Sequence, residues 1–161
     1  MEAMDQLLAV EAIRVLKARY FRCVDTKDWI GLGTVFAPDA VFDRSYGHAV
    51  RDPVSGEWIP PLPAEPLLVH GRDAIVAMAR RAVETIVTVH HGHTHEIHAT
   101  DDERATAIWA MSDELRDREG RLILAGRGHY HDKYRRVAGE WLITASRLTR
   151  LAIIRGDVIK Q

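Results

Sequence analysis

Residues 104–117, Arg-Ala-Thr-Ala-Ile-Trp-Ala-Met-Ser-Asp-Glu-Leu-Arg-Asp, decide how the chain is to be read. Trp109, Met111 and Leu115 fall on one parity, the spacing of a strand face rather than a helix stripe. The segments at 87–99, 121–137 and 141–155 carry the same strand-like period. Thr100-Asp101-Asp102, Arg118-Glu119-Gly120 and Val137-Ala138-Gly139-Glu140 separate them, and such residues form tight turns. Short turns join antiparallel neighbours. The second half of the chain therefore reads as a four-stranded antiparallel meander, with Trp109, Met111 and Leu115 assigned to its convex face.

Toward the N-terminus the period changes. Leu8, Ala9, Ala12, Ile13, Leu16, Tyr20, Cys23 and Val24 recur at three- and four-residue steps, while Glu11, Arg14, Lys17 and Arg22 take the other side. That pattern predicts a helix over about 4–25. Trp29, Leu32, Val35 and Phe36 predict a second over about 28–36, ended by Pro38. Residues 39–45 predict a short strand. Residues 46–66 hold five of the six prolines and read as an irregular, lid-like loop, in which Trp58 is a candidate substrate contact. Ala74, Ile75, Met78, Ala82 and Ile86 predict a helix over about 72–86. Helices followed by a run of strands indicate an α+β fold, with helices on one face of a curved antiparallel sheet. The 161 residues are the length of one domain, 1–161.

With 47% hydrophobic residues, 28% charged residues and a net charge of −1, the chain belongs with ordinary folded proteins and not with disordered ones. No net positive field gathers nucleic acid or an anionic membrane, so neither is an expected partner. No apolar run approaches the roughly 18 residues of a membrane span. Met1-Glu2-Ala3-Met4-Asp5 lacks the basic and apolar regions of a signal peptide. Cys23 is the only cysteine, which excludes an intrachain disulfide and points to a reducing compartment, the cytoplasm.

Five of the nine histidines fall within nine residues: His90, His91, His93, His95 and His98. Simple alternation groups His91, His93 and His95 on one face and His90 and His98 on the other. Imidazoles at alternate positions suit zinc or iron, but no accompanying spacing typical of structural zinc is present, and no metal is assigned. A general base is the favoured role, since imidazole titrates near neutrality. Tyr20 lies on the helix stripe, buried with a hydroxyl that needs a partner. Asp25 sits at the negative end of the helix dipole and calls for a donor. A histidine bonded to Asp25 has its tautomer set, and that pair is the favoured dyad. Arg147 shares parity with Trp141 and Ile143, so its charge is expected to point inward. Each has a plainer alternative: a core tyrosine, a turn aspartate, a solvated arginine. There is no nucleophile elbow, phosphate loop or dinucleotide fingerprint.

Taken together, Ile13-Arg14, Ala18-Arg19-Tyr20 and Asp25, then Phe36-Ala37-Pro38-Asp39-Ala40-Val41-Phe42, Gly71-Arg72-Asp73-Ala74-Ile75, His90, Ala105-x-Ala107-x-Trp109, Tyr130-x-Asp132-x-Tyr134 and Gly139-x-Trp141-x-Ile143 resemble the SnoaL-like branch of the nuclear transport factor 2-like superfamily. The resemblance implies a cone: a bent sheet wrapped around a long helix, with a pocket opening into it. Within the superfamily the chain is most similar to the group of scytalone dehydratase, lindane dehydrochlorinase and bile-acid 7α-dehydratase. That similarity implies His90 as the base, with His91 as alternative, Asp25 as its partner, Tyr20 as the first-helix polar residue and Arg147 as the arginine. Parity groups His91 with Val89 and Ile97, so aiming His90 inward requires a bulge. The implied activity is cofactor-free proton abstraction from a small hydrophobic or polycyclic substrate, most directly dehydration. Trp58 and Trp109 are expected to touch that substrate. The alternatives are a cyclase or ketosteroid isomerase-like enzyme, or a non-catalytic binding module or small dioxygenase subunit. The convex sheet face is expected to pair copies into a homodimer or homotrimer.

Overall fold

The N-terminal helix sets the axis of the molecule. In the computed structural model, which describes residues 2–156, α1 runs from Ala3 to Asp25 without a break. The expected domain, 1–161, extends beyond the described residues at both ends. Asp5 in the first turn and Arg22 in the last complement the helix dipole. The buried stripe is Ala9, Ile13, Leu16, Tyr20, Phe21, Cys23 and Val24 together with Lys17. Leu8 and Ala12, expected inside, are exposed, and Lys17, expected on the polar side, is 1% exposed. The stripe is rotated because Lys17 finds a carboxylate and three aromatic faces in the core, described below.

After α1, helix α2 covers only Trp29–Gly33, and strand β1 (Phe36–Asp43) begins where the second helix was expected to end. Pro38 lies within β1, not after a helix. The β1 register slips between Phe36 and Val41, and a bulge is where a strand accepts a residue with no N–H. The segment expected to be wholly irregular contains two short strands, β2 (Val50–Arg51) and β3 (Trp58–Ile59), paired as a hairpin. β4 (Leu68–His70) pairs with β1, and α3 (Arg72–Val83) follows.

The meander follows as read: β5 (Val87–Ala99), β6 (Arg104–Arg116), β7 (Leu122–Val137) and β8 (Glu140–Arg155), each antiparallel to the next. The sheet as a whole is mixed, not antiparallel throughout, because β1 and β2 run parallel to β8 on its free edge. Eight strands form one curved, open sheet around α1, the α+β cone. Ala105 and Ala107 on the inner face of β6 leave room for the helix, and Trp109, Met111, Tyr130, Tyr134, Ile143 and Leu148 complete the core. The assignment of Trp109 and Met111 to the convex face is therefore corrected: they are 5% and 3% exposed on the concave side. No helix among the described residues is long and apolar enough to cross a membrane.

Candidate active site

Asp25 ends α1 at the rim of the cone, where β5 passes it. Its carboxylate accepts from the Thr88 hydroxyl at 2.9 Å, from the His90 backbone N–H at 2.8 Å and from His90 Nδ1 at 2.6 Å. These donors offset the unfavourable end of the helix dipole. Burial alone pushes the Asp25 carboxyl up, but the hydrogen bonds from His90 and Thr88 outweigh it and hold the group below its usual value. An ionised Asp25 makes His90 Nδ1 the donor, so in the neutral imidazole the lone pair is on Nε2. Nε2 has no hydrogen-bond partner among the described residues. The His90 side chain is 10% exposed and that of Asp25 is 22%.

His90 points inward because β5 carries an extra residue. Gly92 pairs with Met111 and His95 with Trp109, so β5 spends three residues where β6 spends two. Such a bulge flips the alternation beyond it. Thr88 and His90 face in on one side of it; His95, Ile97 and Ala99 face in on the other. Gly92 has a further role. A Cβ there would stand 2.6 Å from Phe21 Cε2, so only glycine lets the Phe21 ring lie against the strand and stack on His90, with rings at 14° and centroids 6.0 Å apart.

Across the β5–β6 register from His90 stands Asp113, which receives Arg150 Nη1 at 2.6 Å and Nη2 at 2.7 Å. Both side chains are under a tenth exposed. Tyr20 lies deeper, its hydroxyl paired with that of Tyr130. Burial holds the Tyr20 phenol well above the usual tyrosine range; the hydrogen bond from Tyr130 opposes this and nearby carboxylates reinforce it. It is a neutral hydrogen-bond donor at physiological pH. Below it, Lys17 Nζ donates to Asp132 Oδ2 at 2.7 Å and sits 3.7 Å from the Tyr130 ring centroid. Tyr134 and Ser146 also donate to Asp132, at 2.8 and 2.7 Å, and Trp109 Nε1 donates to Tyr134 at 3.0 Å.

The structure thus brings Tyr20, Asp25 and His90 to one end of the cone. It places the other candidates elsewhere. His91 is exposed on the outer face with His93, their rings 6.3 Å apart, while His95 turns inward against Trp109. The grouping of His91, His93 and His95 is broken by the bulge, and no cluster of metal-binding side chains forms among the described residues. Arg147 faces away from the dyad. Lys133 pairs with Ala145 and Tyr134 with Ile143, so Thr144 is an extra residue in β8 and parity flips after it. The inward arginine is Arg150. Trp58 packs edgewise on Tyr46, centroids 4.9 Å apart, and Tyr46 in turn carries Arg147 on its ring, so Trp58 belongs to the outer side. Trp109 is a core side chain with its N–H already satisfied. Sequence reasoning missed Asp113, Arg150 and Lys17. A bulge after Ile143 was the signal needed for Arg150, and nothing local to β8 announces it.

Comparison with known proteins gives a family match, one relative in sequence and two likenesses in structure. The model of the SnoaL-like domain matches residues 5–147. Over 148 residues the chain is 26% identical to a protein of Gibberella zeae described as a probable cyclase, covering 89% of this chain and 91% of that one. Among solved structures, a scytalone dehydratase-like protein of Novosphingobium aromaticivorans superposes with a TM-score of 0.76 at 20% identity, over 98% of this chain and 94% of the other. A hexachlorocyclohexane dehydrochlorinase of Novosphingobium barchaimii does so at 0.74 and 14%, over 99% and 98%. At such identities the two structures speak to the fold alone.

Proposed function

The chain belongs to the SnoaL-like domain family, and from that premise we propose that it is an enzyme that removes a proton from carbon, using His90 as base, and most directly a dehydratase. The observation that carries this reading is the 2.6 Å contact between His90 Nδ1 and Asp25, with Nε2 left free. His90 Nε2 takes a proton from a carbon beside a carbonyl. Asp25 orients the imidazole and stabilises the imidazolium. Tyr20 donates to the carbonyl or to the departing hydroxyl, and Arg150, fixed by Asp113, supplies positive charge for the developing enolate. The electron pair of the broken C–H bond forms the double bond, the C–O bond breaks, and the departing hydroxyl takes the proton held on His90 to leave as water. The substrate class is small, hydrophobic or polycyclic, and no cofactor takes part in these steps.

Ring closure from the same enolate is the second reading, favoured by the likeness to the Gibberella cyclase. Product mass separates the two, because elimination removes one water and ring closure by carbon–carbon bond formation alone removes nothing. A thermal-shift screen of hydroxylated steroids and aromatic polyketides identifies a ligand, since a molecule that binds only the native state raises its melting point. On the substrate so found, His90→Ala and Asp25→Ala are each expected to lower kcat by about 100-fold or more in a chain that stays folded. Wild-type turnover by the double variant overturns the assignment.

A further inference from the structure

On the sheet face turned away from α1, a groove of about 660 Å³ crosses β1, β8, β7, β6 and β5. That is the size of a small-molecule site. Val41, Ile108 and Ala145 give it an apolar floor. Arg147 closes one end, its guanidinium carbon 5.1 Å from the Tyr46 ring centroid. Its Nε is buried and has no hydrogen-bond partner, the one such side-chain atom among the described residues. No ion pair reaches the guanidinium either, among the same residues. Asp43 stands across the parallel β1–β8 register from Arg147, yet its carboxylate accepts the Ser45 N–H at 2.9 Å. Buried polar atoms are almost always paired, and an unpaired one beside a groove calls for an explanation, of which a group bound in the groove is one.

We propose that this groove binds a small monocarboxylate with a flat apolar body, its carboxylate held by the Arg147 fork. A planar guanidinium matches a carboxylate in two parallel hydrogen bonds and, unlike an ammonium, stacks on an aromatic ring as it does here on Tyr46. The remaining charged groups on the groove set the ligand's charge. Asp43 and Glu96 lie in the same row across the strands as Arg147, and Lys133 adds a positive charge in the next row. One negative charge is accommodated, and a compact multiply charged anion meets two carboxylates. His131 lies directly opposite Arg147 in the β7–β8 register, its Nε2 bonded to Thr149 at 3.0 Å. Burial holds the His131 imidazole below its usual value, and the unpaired Arg147 and neighbouring His129 lower it further. A carboxylate on Arg147 removes part of that repulsion, so binding raises the proton affinity of His131. The sheet separates this groove from the Asp25–His90 dyad, and the proposal stands apart from the reading of that dyad.

The test is calorimetric titration with 2-naphthoate, its neutral counterpart 2-naphthamide, and inorganic phosphate. Wild type is expected to bind 2-naphthoate, with 2-naphthamide and phosphate weaker by about tenfold or more. Arg147→Gln is expected to weaken 2-naphthoate by the same factor, with Arg147→Lys intermediate because it keeps the charge and loses the fork. Asp25→Ala leaves this binding unchanged. Imidazole NMR of wild type is expected to show the His131 titration moving to higher pH on binding. Equal affinity of wild type and Arg147→Gln overturns the proposal, as do loss of binding in Asp25→Ala, phosphate binding as tightly as 2-naphthoate, or no binding to wild type. A dimer or trimer in sedimentation that Arg147→Gln dissociates, with no 2-naphthoate uptake, assigns the groove to a second copy and also overturns it.

Discussion

At Asp132 one buried carboxylate receives three side chains from three elements: Lys17 of α1, Tyr134 of β7 and Ser146 of β8. Lys17 is held in the core by this carboxylate and by the faces of the Tyr20, Phe21 and Tyr130 rings. Burial lowers its affinity for a proton, and the Asp132 charge and hydrogen bond work against that. Removing one partner of such a pair strands the other charge without solvent, which costs about 3–5 kcal/mol. Asp132→Ala is therefore expected to lose that much stability in urea unfolding. A loss below about 1 kcal/mol, the range of exposed ion pairs, would show that the pair does not anchor α1. His90 and Asp25 differ in kind. They lie at the rim, and their replacement is expected to change turnover far more than stability.

At the level of elements, two extra residues decide the chemistry of the cone. One lies in β5 between Gly92 and His95 and turns His90 inward; the other is Thr144 in β8, which turns Arg150 inward and Arg147 outward. The β5 bulge works together with the close approach of α1, because Phe21 fits only against a glycine. Gly92→Ala is expected to cost about 1–3 kcal/mol, as for other overpacked sites. By displacing the ring stacked on His90 it should also lower kcat more than KM changes. Chemical denaturation and steady-state kinetics on one preparation check both. Wild-type stability and kcat together would mean that Phe21 does not hold the imidazole plane.

For the whole molecule, the buried tyrosines report on the cone as a unit. Burial raises the phenols of Tyr20, Tyr130 and Tyr134 above the usual value, and nearby carboxylates reinforce this. A folded-state value above the unfolded one means that the folded chain keeps protons the unfolded chain gives up. The corresponding stability is full below about pH 10, the ordinary tyrosine value, and falls as pH rises beyond it. Alkaline titration followed by phenolate absorbance is expected to show these three of the four tyrosines ionising together, in step with loss of circular dichroism. Ionisation of all three in a still-folded protein would show that their burial does not depend on the cone as a whole.

Local pattern alone determined much of this protein. The 3.6-residue period of α1, the alternation of the four long strands and their turn residues set the helix-then-meander order, because periodicity and turn chemistry are carried by near neighbours in sequence. The pairing of Asp25 with a histidine was legible too, since a carboxylate at a helix end needs a donor. Which histidine, and which arginine, was settled only by the assembled sheet. A single inserted residue inverts every side chain beyond it, and whether a strand bulges depends on the partner strand and on what packs over it: Trp109 and Phe21 at β5, Tyr134 at β8. Lys17 shows the same limit. Its burial depends on a carboxylate 115 positions away in the chain, and only folding brings the two together.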